Sequence, residues 1–350
     1  MRSYQIIHWG QPLQLTQRDT PVPRGAEVLV RVQACGVCHS DVHIWDGSFD
    51  LGDGRRLALA DVGATLPFTM GHEIVGEVAA AGPDAHAAVG APCVVYPWIG
   101  CGLCEACLSG RELDCAAMVS LGTRRAGGYS DHVLVPHSRY VLDYGRLDPH
   151  LAATCACSGL TAYSALRKLP ECQARDAVLI IGAGGLGLAA VGLARVLSPA
   201  RIFVADVDPR KLDVAREMGV AGVVDLRAPD ALAQLNAQTQ RAPRAVIDFV
   251  GSAATVGFSI QSAAKGGTVV VVGLFGGSLP LSTALLPLRN LTLQGSYVGT
   301  LAQMHELLAL AQTQPIASVP LSVRPMHEIN EVLTALREGR VVGRVVAAVA

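Results

Sequence analysis

Ala177-Val-Leu-Ile-Ile181, followed at once by Gly182-Ala-Gly-Gly-Leu-Gly187, is the stretch whose reading decides the fold. Five consecutive apolar residues ending in a glycine turn suit a strand buried on both faces. In this GxGxxG turn, Gly182 permits the tight bend, Gly184 lets the backbone approach a pyrophosphate, and Gly187 lets the next helix pack closely on the strand. Leu186 to Leu197 is the expected helix, with its N-terminal N–H groups and dipole facing the phosphates. Arg201-Ile-Phe-Val-Ala-Asp206 then reads as a second strand ending in a carboxylate about 20 residues past the turn, where an acid binds ribose hydroxyls. That carboxylate would repel a 2′-phosphate, so NAD is expected over NADP. Arg210 and Lys211 beside it are what keeps NADP in view.

Beyond Asp206, strands and helices alternate. Val220 to Asp225, Ala245 to Val250 and Thr268 to Gly273 read as parallel strands, and Leu291 to Val298 as a sixth. Pro209 to Met218, Asp230 to Thr239 and Ala254 to Ala264 read as the helices between them. A doubly wound α/β sheet follows. Upstream, residues 26 to 34 partly alternate apolar and polar side chains, and Gly71 to Val78 forms another such run. Gly- and Pro-punctuated short strands continue to about residue 140, giving a β-rich, barrel-like half. A helical stretch is expected from Thr161. Helices near Leu301 to Gln312 and Ile329 to Glu338 precede a closing strand, Val341 to Val349, expected to return to the first half.

A chain of 350 residues is long for one core. With 51% hydrophobic and 16% charged residues it is burial-rich, without a disordered charged tail. The net charge of −1 gives no electrostatic reason to expect nucleic acid or an anionic membrane. No apolar core of a signal peptide and no membrane-length apolar run is seen, so a cytoplasmic protein is expected. Ten cysteines in such a chain suggest metal thiolates before disulfides.

Cys101, Cys104, Cys107 and Cys115 follow the pattern CxxCxxCx7C. Three thiolates at that spacing can converge on one ion from a tight loop, and the fourth closes a tetrahedron. An iron–sulfur cluster uses similar spacing, but Ala116 stands where the bacterial ferredoxin run has proline, so zinc is expected. With no open position, that zinc would be structural. A second set is dispersed: Cys38-His-Ser-Asp-Val-His43, Gly71-His-Glu73 and Cys155-Ala-Cys157. Together these offer two sulfurs and an imidazole with a fourth position open, the arrangement of catalytic zinc. Spacing alone does not choose Cys157 over Cys155, or His72 over His39 or His43.

These stretches give the chain a resemblance to the zinc-dependent alcohol dehydrogenases of the medium-chain dehydrogenase/reductase superfamily. The match runs over nearly all of the chain. It rests on Gly36-Val-Cys-His-Ser-Asp41, Gly71-His-Glu73, the four-cysteine loop, Cys157-Ser-Gly-Leu-Thr-Ala-Tyr163, the glycine turn and Gly343-Arg344. The resemblance implies a GroES-like catalytic domain over residues 1–157 and 297–350 with both zinc sites, and an NAD-binding Rossmann domain over 158–296. It assigns Cys38, His72 and Cys157 to catalytic zinc, leaving Cys35, Cys93, Cys155 and Cys172 as buried thiols. Asp41 would orient His72. Glu73 would lie behind the metal as an occasional ligand, or serve as the ion-pair partner of Arg344; both readings stay open.

By the same resemblance Ser40 and His43 form a proton relay, Thr161 packs against nicotinamide, and Arg344 pairs with the pyrophosphate. Further cofactor contacts are expected from His39, Gly185, Leu186, Val207, Lys211 and Val272. Trp45, Phe49, Trp98 and Val298, with Ser40, would line the substrate pocket. Large apolar walls would favour medium-chain, cyclic or aromatic alcohols, and Ser40 in place of a bulkier threonine would suit secondary ones. The implied reaction is reversible oxidation of an alcohol to an aldehyde or ketone with hydride transfer to NAD, using two zinc ions per chain. A polyol or formaldehyde dehydrogenase and a zinc-stabilised NAD-binding protein without catalysis are the alternatives. A zinc-free reductase of the same fold would lack Cys38, His72 and Cys157. The family forms dimers and tetramers through the cofactor lobe, and a homotetramer is expected here.

Overall fold

The strand Ala177–Ile181 is buried at all five positions and lies at the centre of a six-stranded sheet in a computed structural model that describes residues 1–317 and 319–349. From one edge to the other the strands are Gly222–Asp225, Arg201–Asp206, Ala177–Ile181, Ala245–Asp248, Thr268–Val271 and Thr292–Gly295, and every pairing is parallel. This is the doubly wound order expected from the sequence, with the topological switch between Ala177–Ile181 and Ala245–Asp248. Apolar runs such as Val-Val-Val at 269–271 suit strands covered on both faces. The crossover helices are Gly185–Leu197, Pro209–Glu217, Ala231–Thr239 and Ala253–Ser262. Asp208 and Ser252 cap two of them through side-chain oxygens that accept backbone N–H groups.

The other half holds a mixed seven-stranded sheet centred on Val28–Val37. That strand pairs antiparallel with Glu73–Ala81 on one side and with Arg344–Ala348 on the other. His132–Val135 pairs with its first half. The closing strand does return to the first half of the chain, in the register Val345 to Val37 and Val346 to Gly36. It also accepts a parallel partner, Leu321–Pro325, which the sequence reading did not anticipate.

Three local differences bear on the site. Val28–Val37 runs three residues further than the alternating pattern predicts, up to the residue before Cys38. Cys38 is the N-cap of an unanticipated helix, His39–Asp46, in which the Asp41 carboxylate accepts the Cys38 N–H at 2.9 Å. The helix expected from Thr161 begins earlier, at Pro149, and passes through a π-helical turn at Cys155–Gly159 before continuing as Leu160–Leu166. A π turn inserts one residue into the helical ladder and swings side chains off the regular face, a geometry frequent at functional positions.

A strap joins the halves over the cleft. The hairpin of Ser48–Gly52 and Arg55–Ala58 lies against the loop after the fifth strand of the parallel sheet. A Cβ at Gly276 would meet the Asp50 carbonyl oxygen at 2.5 Å, and one at Gly52 the Gly277 carbonyl carbon at 2.5 Å. Ser278 donates a hydrogen bond to Asp53 within the same contact.

Candidate active site

One cleft of about 570 Å³ runs between the two sheets, and most of the residues singled out in the sequence face it. At the dinucleotide end, Gly182 holds φ +90, and a Cβ there would lie 2.8 Å from Val250. A Cβ on Gly187 would lie 1.7 Å from the Gly182 carbonyl oxygen, so only glycine allows the helix to start this close to the strand. Gly184 differs: no atom lies within 4 Å of where its Cβ would be. The backbone there borders open space, as a pyrophosphate cradle requires. Asp206 is buried, and its carboxylate accepts N–H groups from Ala183 at 2.6 Å and Asp208 at 2.8 Å, which fixes it at the lip of the turn. Gly185, Leu186, Val207, Lys211 and Val272 line the same portion. Thr161 also lines the cleft, its hydroxyl buried without a hydrogen-bond partner.

At the other end Cys38, His72, Glu73 and Cys157 each bring one potential ligand atom to within 4.8 Å of all the others, and all four are buried. The two sulfurs are 3.9 Å apart. Cys38 comes from a helix cap, His72 from the residue before a strand, and Cys157 from the π turn, so three separate elements build the cluster. His39, His43 and Cys155 stay outside it. Cys155, Cys35, Cys93 and Cys172 are buried free thiols, and burial pushes Cys155 and Cys93 up to about 12.

The donor set fits a soft or borderline cation. His72 is fully buried, yet neither ring nitrogen has a hydrogen-bond partner; Asp41 Oδ1 approaches Nδ1 at 3.3 Å without alignment for a hydrogen bond. An imidazole stripped of water and left with a free nitrogen beside two sulfurs is a costly arrangement unless an ion completes it. The electrostatics agree. The hydrogen bond shared with the Cys157 sulfur holds Cys38 well below the usual thiol range, against burial, with His72 adding to the effect. The same bond raises Cys157, and burial raises it further. For His72, burial favours the neutral ring, but Asp41 and Cys38 outweigh it and push the value up. Asp41 is itself anchored by the Tyr129 hydroxyl at 2.7 Å, a support the sequence reading missed.

Glu73 is held from both sides. Its Oε1 accepts the Ser158 N–H at 3.2 Å, and its Oε2 pairs with the Arg344 guanidinium. Burial raises the Glu73 carboxyl, with Arg344 opposing. The ion-pair reading of Glu73 is therefore present in the structure, and Glu73 also belongs to the ligand cluster. Arg344 lies against the turn, since a Cβ on Gly185 would fall 2.1 Å from its Cδ.

Ser40 and His43 both line the cleft from one face of the helix His39–Asp46. Burial lowers the His43 imidazole and the neighbouring His39 lowers it further, with Asp46 and Cys38 opposing, which favours the neutral ring. Phe49, Trp98 and Val298 line the cleft, and Trp98 packs on the His72 ring at 5.3 Å between centroids while donating to the Ala156 carbonyl at 2.9 Å. Trp45 does not belong to the cleft wall. Its ring is buried under the Arg337 guanidinium, 3.8 Å from the centroid, because the helix turns that face toward Ile329–Arg337. Leu57, Val62, Arg124 and Tyr297 line the cleft in positions the sequence reading did not name; they come from loops and a hairpin that only the tertiary fold brings together.

Outside the cleft, one ligand atom from each of Cys101, Cys104, Cys107 and Cys115 lies within 4.8 Å of the rest. Backbone N–H groups of Leu103 and Cys104 pull Cys101 down to about 6, while burial pushes Cys107 up to about 12. A Cβ on Gly100 would lie 2.5 Å from the Cys107 sulfur. The carboxylate of Glu112 braces the loop, accepting from Gly100 N at 3.3 Å and the Tyr140 hydroxyl at 3.0 Å.

A doubly wound nucleotide sheet sharing a cleft with a two-sulfur, one-imidazole cradle, beside a separate four-cysteine loop, defines the class of zinc-type, dinucleotide-linked dehydrogenases. Residues 24–144 match the family model described as alcohol dehydrogenase GroES-like domain, and residues 185–313 the one described as zinc-binding dehydrogenase. The chain is similar to an NAD-dependent alcohol dehydrogenase of Sulfurisphaera tokodaii, 34% identical over 346 residues covering 98% of this chain and 99% of that one. Its fold is similar to the alcohol dehydrogenase of the hyperthermophilic archaeon Aeropyrum pernix, with TM-score 0.88 and 30% identity over 99% and 100% of the two chains. It is also similar to the acetophenone reductase of Geotrichum candidum, solved in complex with NAD, with TM-score 0.85 and 26% identity over 99% and 96%. The chain belongs to the zinc-type alcohol dehydrogenases of the medium-chain dehydrogenase/reductase superfamily.

Proposed function

We propose that this chain catalyses the reversible oxidation of alcohols to aldehydes or ketones by hydride transfer to NAD, at a zinc ion held by Cys38, His72 and Cys157. The observation that carries this is the buried, unpartnered His72 ring converging with two sulfurs on a cleft that also holds an open glycine turn. A bound zinc would supply Lewis acidity that brings an alcohol's proton within reach of neutral pH. The protein's own residues do the rest. The Asp206 carboxylate selects ribose hydroxyls over a 2′-phosphate. Thr161 offers its free hydroxyl at the cleft floor. Ser40 takes the substrate hydroxyl's proton, and His43, neutral because burial lowers it, passes that proton to solvent. Trp98 and the strap over the cleft exclude water.

The walls at Phe49, Leu57, Val62, Trp98 and Val298 are apolar, which favours medium-chain, cyclic or aromatic alcohols over polyols or formaldehyde. The name of the Geotrichum relative, an acetophenone reductase, supports an aromatic secondary alcohol such as phenylethanol. The same reading includes a second, structural zinc in the four-cysteine loop, the division of the chain at 157 and 296, and a cytoplasmic location. It also includes a homotetramer, supported by the exposed Leu285, Leu288 and Leu293 beside the open edge strand Thr292–Gly295. Among the described residues no helix is long and apolar enough to cross a membrane. Metal analysis together with alcohol-dependent NADH formation tests the proposal. Two zinc ions per chain with NADH formation are expected; one zinc and no NADH formation with any alcohol would leave only a nucleotide-holding protein.

A further inference from the structure

Val298 lines the cleft at φ +37, a left-handed backbone that a β-branched residue keeps only where its surroundings impose it. Those surroundings come from three sides. On the side of the parallel sheet, the Ser296 N–H donates to the Val271 carbonyl at 2.9 Å. On the other side Thr300 caps the helix Leu301–Thr313: its hydroxyl accepts the Gln303 N–H at 3.2 Å, and the Gln303 side chain accepts the Thr300 N–H at 3.0 Å. Between them the Gly299 carbonyl accepts the Tyr96 hydroxyl at 2.8 Å. Tyr96 follows the strand Pro92–Val95 of the mixed sheet, is fully buried, and stacks on Tyr140 with ring centroids 6.0 Å apart. Its hydroxyl therefore reaches from the mixed sheet into the segment that leaves the parallel sheet.

The segment so held carries a polar group without a partner. Ser296 is buried and lines the cleft, and its hydroxyl has no hydrogen-bond partner among the described residues. The segment lies at the sulfur end of the cleft. A Cβ on Gly299 would fall 2.7 Å from Leu160, which stands between Cys157 and Thr161 in sequence, and Tyr297 packs edge-on to Trp98, which packs on His72. A hydroxyl buried without a partner costs free energy that a ligand's polar group recovers. A dinucleotide with its pyrophosphate on the glycine turn and its adenosine ribose at Asp206 has one ring left for this end, the nicotinamide, whose carboxamide offers both a donor and an acceptor. We propose that Tyr96 is a positioning residue for the cofactor: through the Gly299 carbonyl it holds Val298 in its left-handed turn and thereby keeps the Ser296 hydroxyl in place for the nicotinamide carboxamide. This deepens the NAD-linked reading and rests on it.

The test titrates the zinc-loaded enzyme with NADH and with ADP-ribose, which has the same adenosine, pyrophosphate and second ribose but no nicotinamide. Tyr96→Phe removes the hydroxyl and keeps the ring on Tyr140, and Ser296→Ala removes the cleft hydroxyl itself. Both only delete an oxygen, so the packing around them is kept. Each is expected to weaken NADH binding about fivefold, the worth of one ordinary hydrogen bond, and to leave ADP-ribose binding within about twofold of wild type. A loss shared equally by both nucleotides in Tyr96→Phe would make Tyr96 a support of the fold alone and overturns the inference. NADH affinity that is unchanged in either variant overturns it as well. A wild-type enzyme that binds neither nucleotide overturns it together with the proposed function.

Discussion

Gly184 and Gly187 are three residues apart in one turn, yet a methyl group added to each should do opposite things. At Gly187 the Cβ would lie 1.7 Å from the Gly182 carbonyl oxygen, against a floor of 3.0 Å for such contacts, and the obstacle is backbone that cannot rotate away. The helix Gly185–Leu197 or the end of Ala177–Ile181 must shift by about an ångström, which overpacking experience puts at about 1–3 kcal/mol. For a domain of this size that lowers Tm by roughly 2–12 °C. At Gly184 the space is empty and φ is −76 with ψ −168, extended backbone that alanine adopts readily. The loss of a good helix N-cap and the reduced entropy of the unfolded chain are each about 0.5–1 kcal/mol and oppose one another. Gly184→Ala should therefore melt within about 2 °C of wild type, while its methyl occupies the room meant for a pyrophosphate and weakens NAD binding at least tenfold. Thermal unfolding without nucleotide, paired with NAD titration by fluorescence quenching, separates the two. If Gly184→Ala binds NAD as wild type does, or if Gly187→Ala melts as wild type does, the assignment of these glycines is wrong.

Replacing Glu73 by alanine leaves the Arg344 guanidinium as an uncompensated buried charge, a change worth about 3–5 kcal/mol, so Tm should fall by about 10 °C in calorimetry. In the pH profile of kcat/KM, the acid limb set by His43 should lie below the usual imidazole value, because burial favours the neutral ring. Activity is then retained above that lowered value and lost as pH falls through it, and His43→Gln should remove this limb while leaving others in place. On the proposed reading of two zinc ions per chain, Cys104→Ser should release one of them on metal analysis and lower thermal stability more than it lowers kcat per folded molecule, since the four-cysteine loop lies outside the cleft. Val298, buried in the core and held at φ +37, would gain about 1–2 kcal/mol of strain relief from glycine but lose a buried side chain worth about 1.5–3 kcal/mol, so Val298→Gly should lower Tm modestly, and a Tm at or above wild type would show that the strain outweighs the packing.

The nucleotide half was readable because its signals are local. Continuous apolar strands, a glycine turn and capped helices each carry their own pattern within about ten residues. The metal cradle was readable only as a set of candidates, since nothing in the spacing of Cys155 and Cys157 reveals a π turn that carries the second of them toward Cys38. The helix His39–Asp46 has no apolar stripe, and its cap is an Asp41 carboxylate that the family likeness had already given to His72. Leu321–Pro325 gives only a weak signal, because it is a five-residue, largely exposed edge strand that ends in proline. Likeness alone puts Trp45 in the pocket, whereas the helix rotation that points it at Arg337 depends on the packing of Ile329–Arg337, almost three hundred residues away.

Two glycines, one at each end of the Glu73–Arg344 pair, give that pair the room to form. A Cβ on Gly36 would lie 1.9 Å from the Glu73 carboxylate, and one on Gly185 would lie 2.1 Å from Arg344 Cδ. Neither residue has a left-handed φ, so what they supply is clearance, one on the metal side and one on the phosphate side. Arg344 opens the closing strand, whose next residue pairs with Val37, the neighbour of Cys38. A single buried guanidinium therefore leans on the glycine turn while its partner carboxylate belongs to the sulfur and imidazole cluster. The pair is therefore a direct bridge between the glycine turn and the floor of the cradle, and removing either member leaves the other as an uncompensated buried charge. The return of the chain's last strand to its first sheet is what makes that connection.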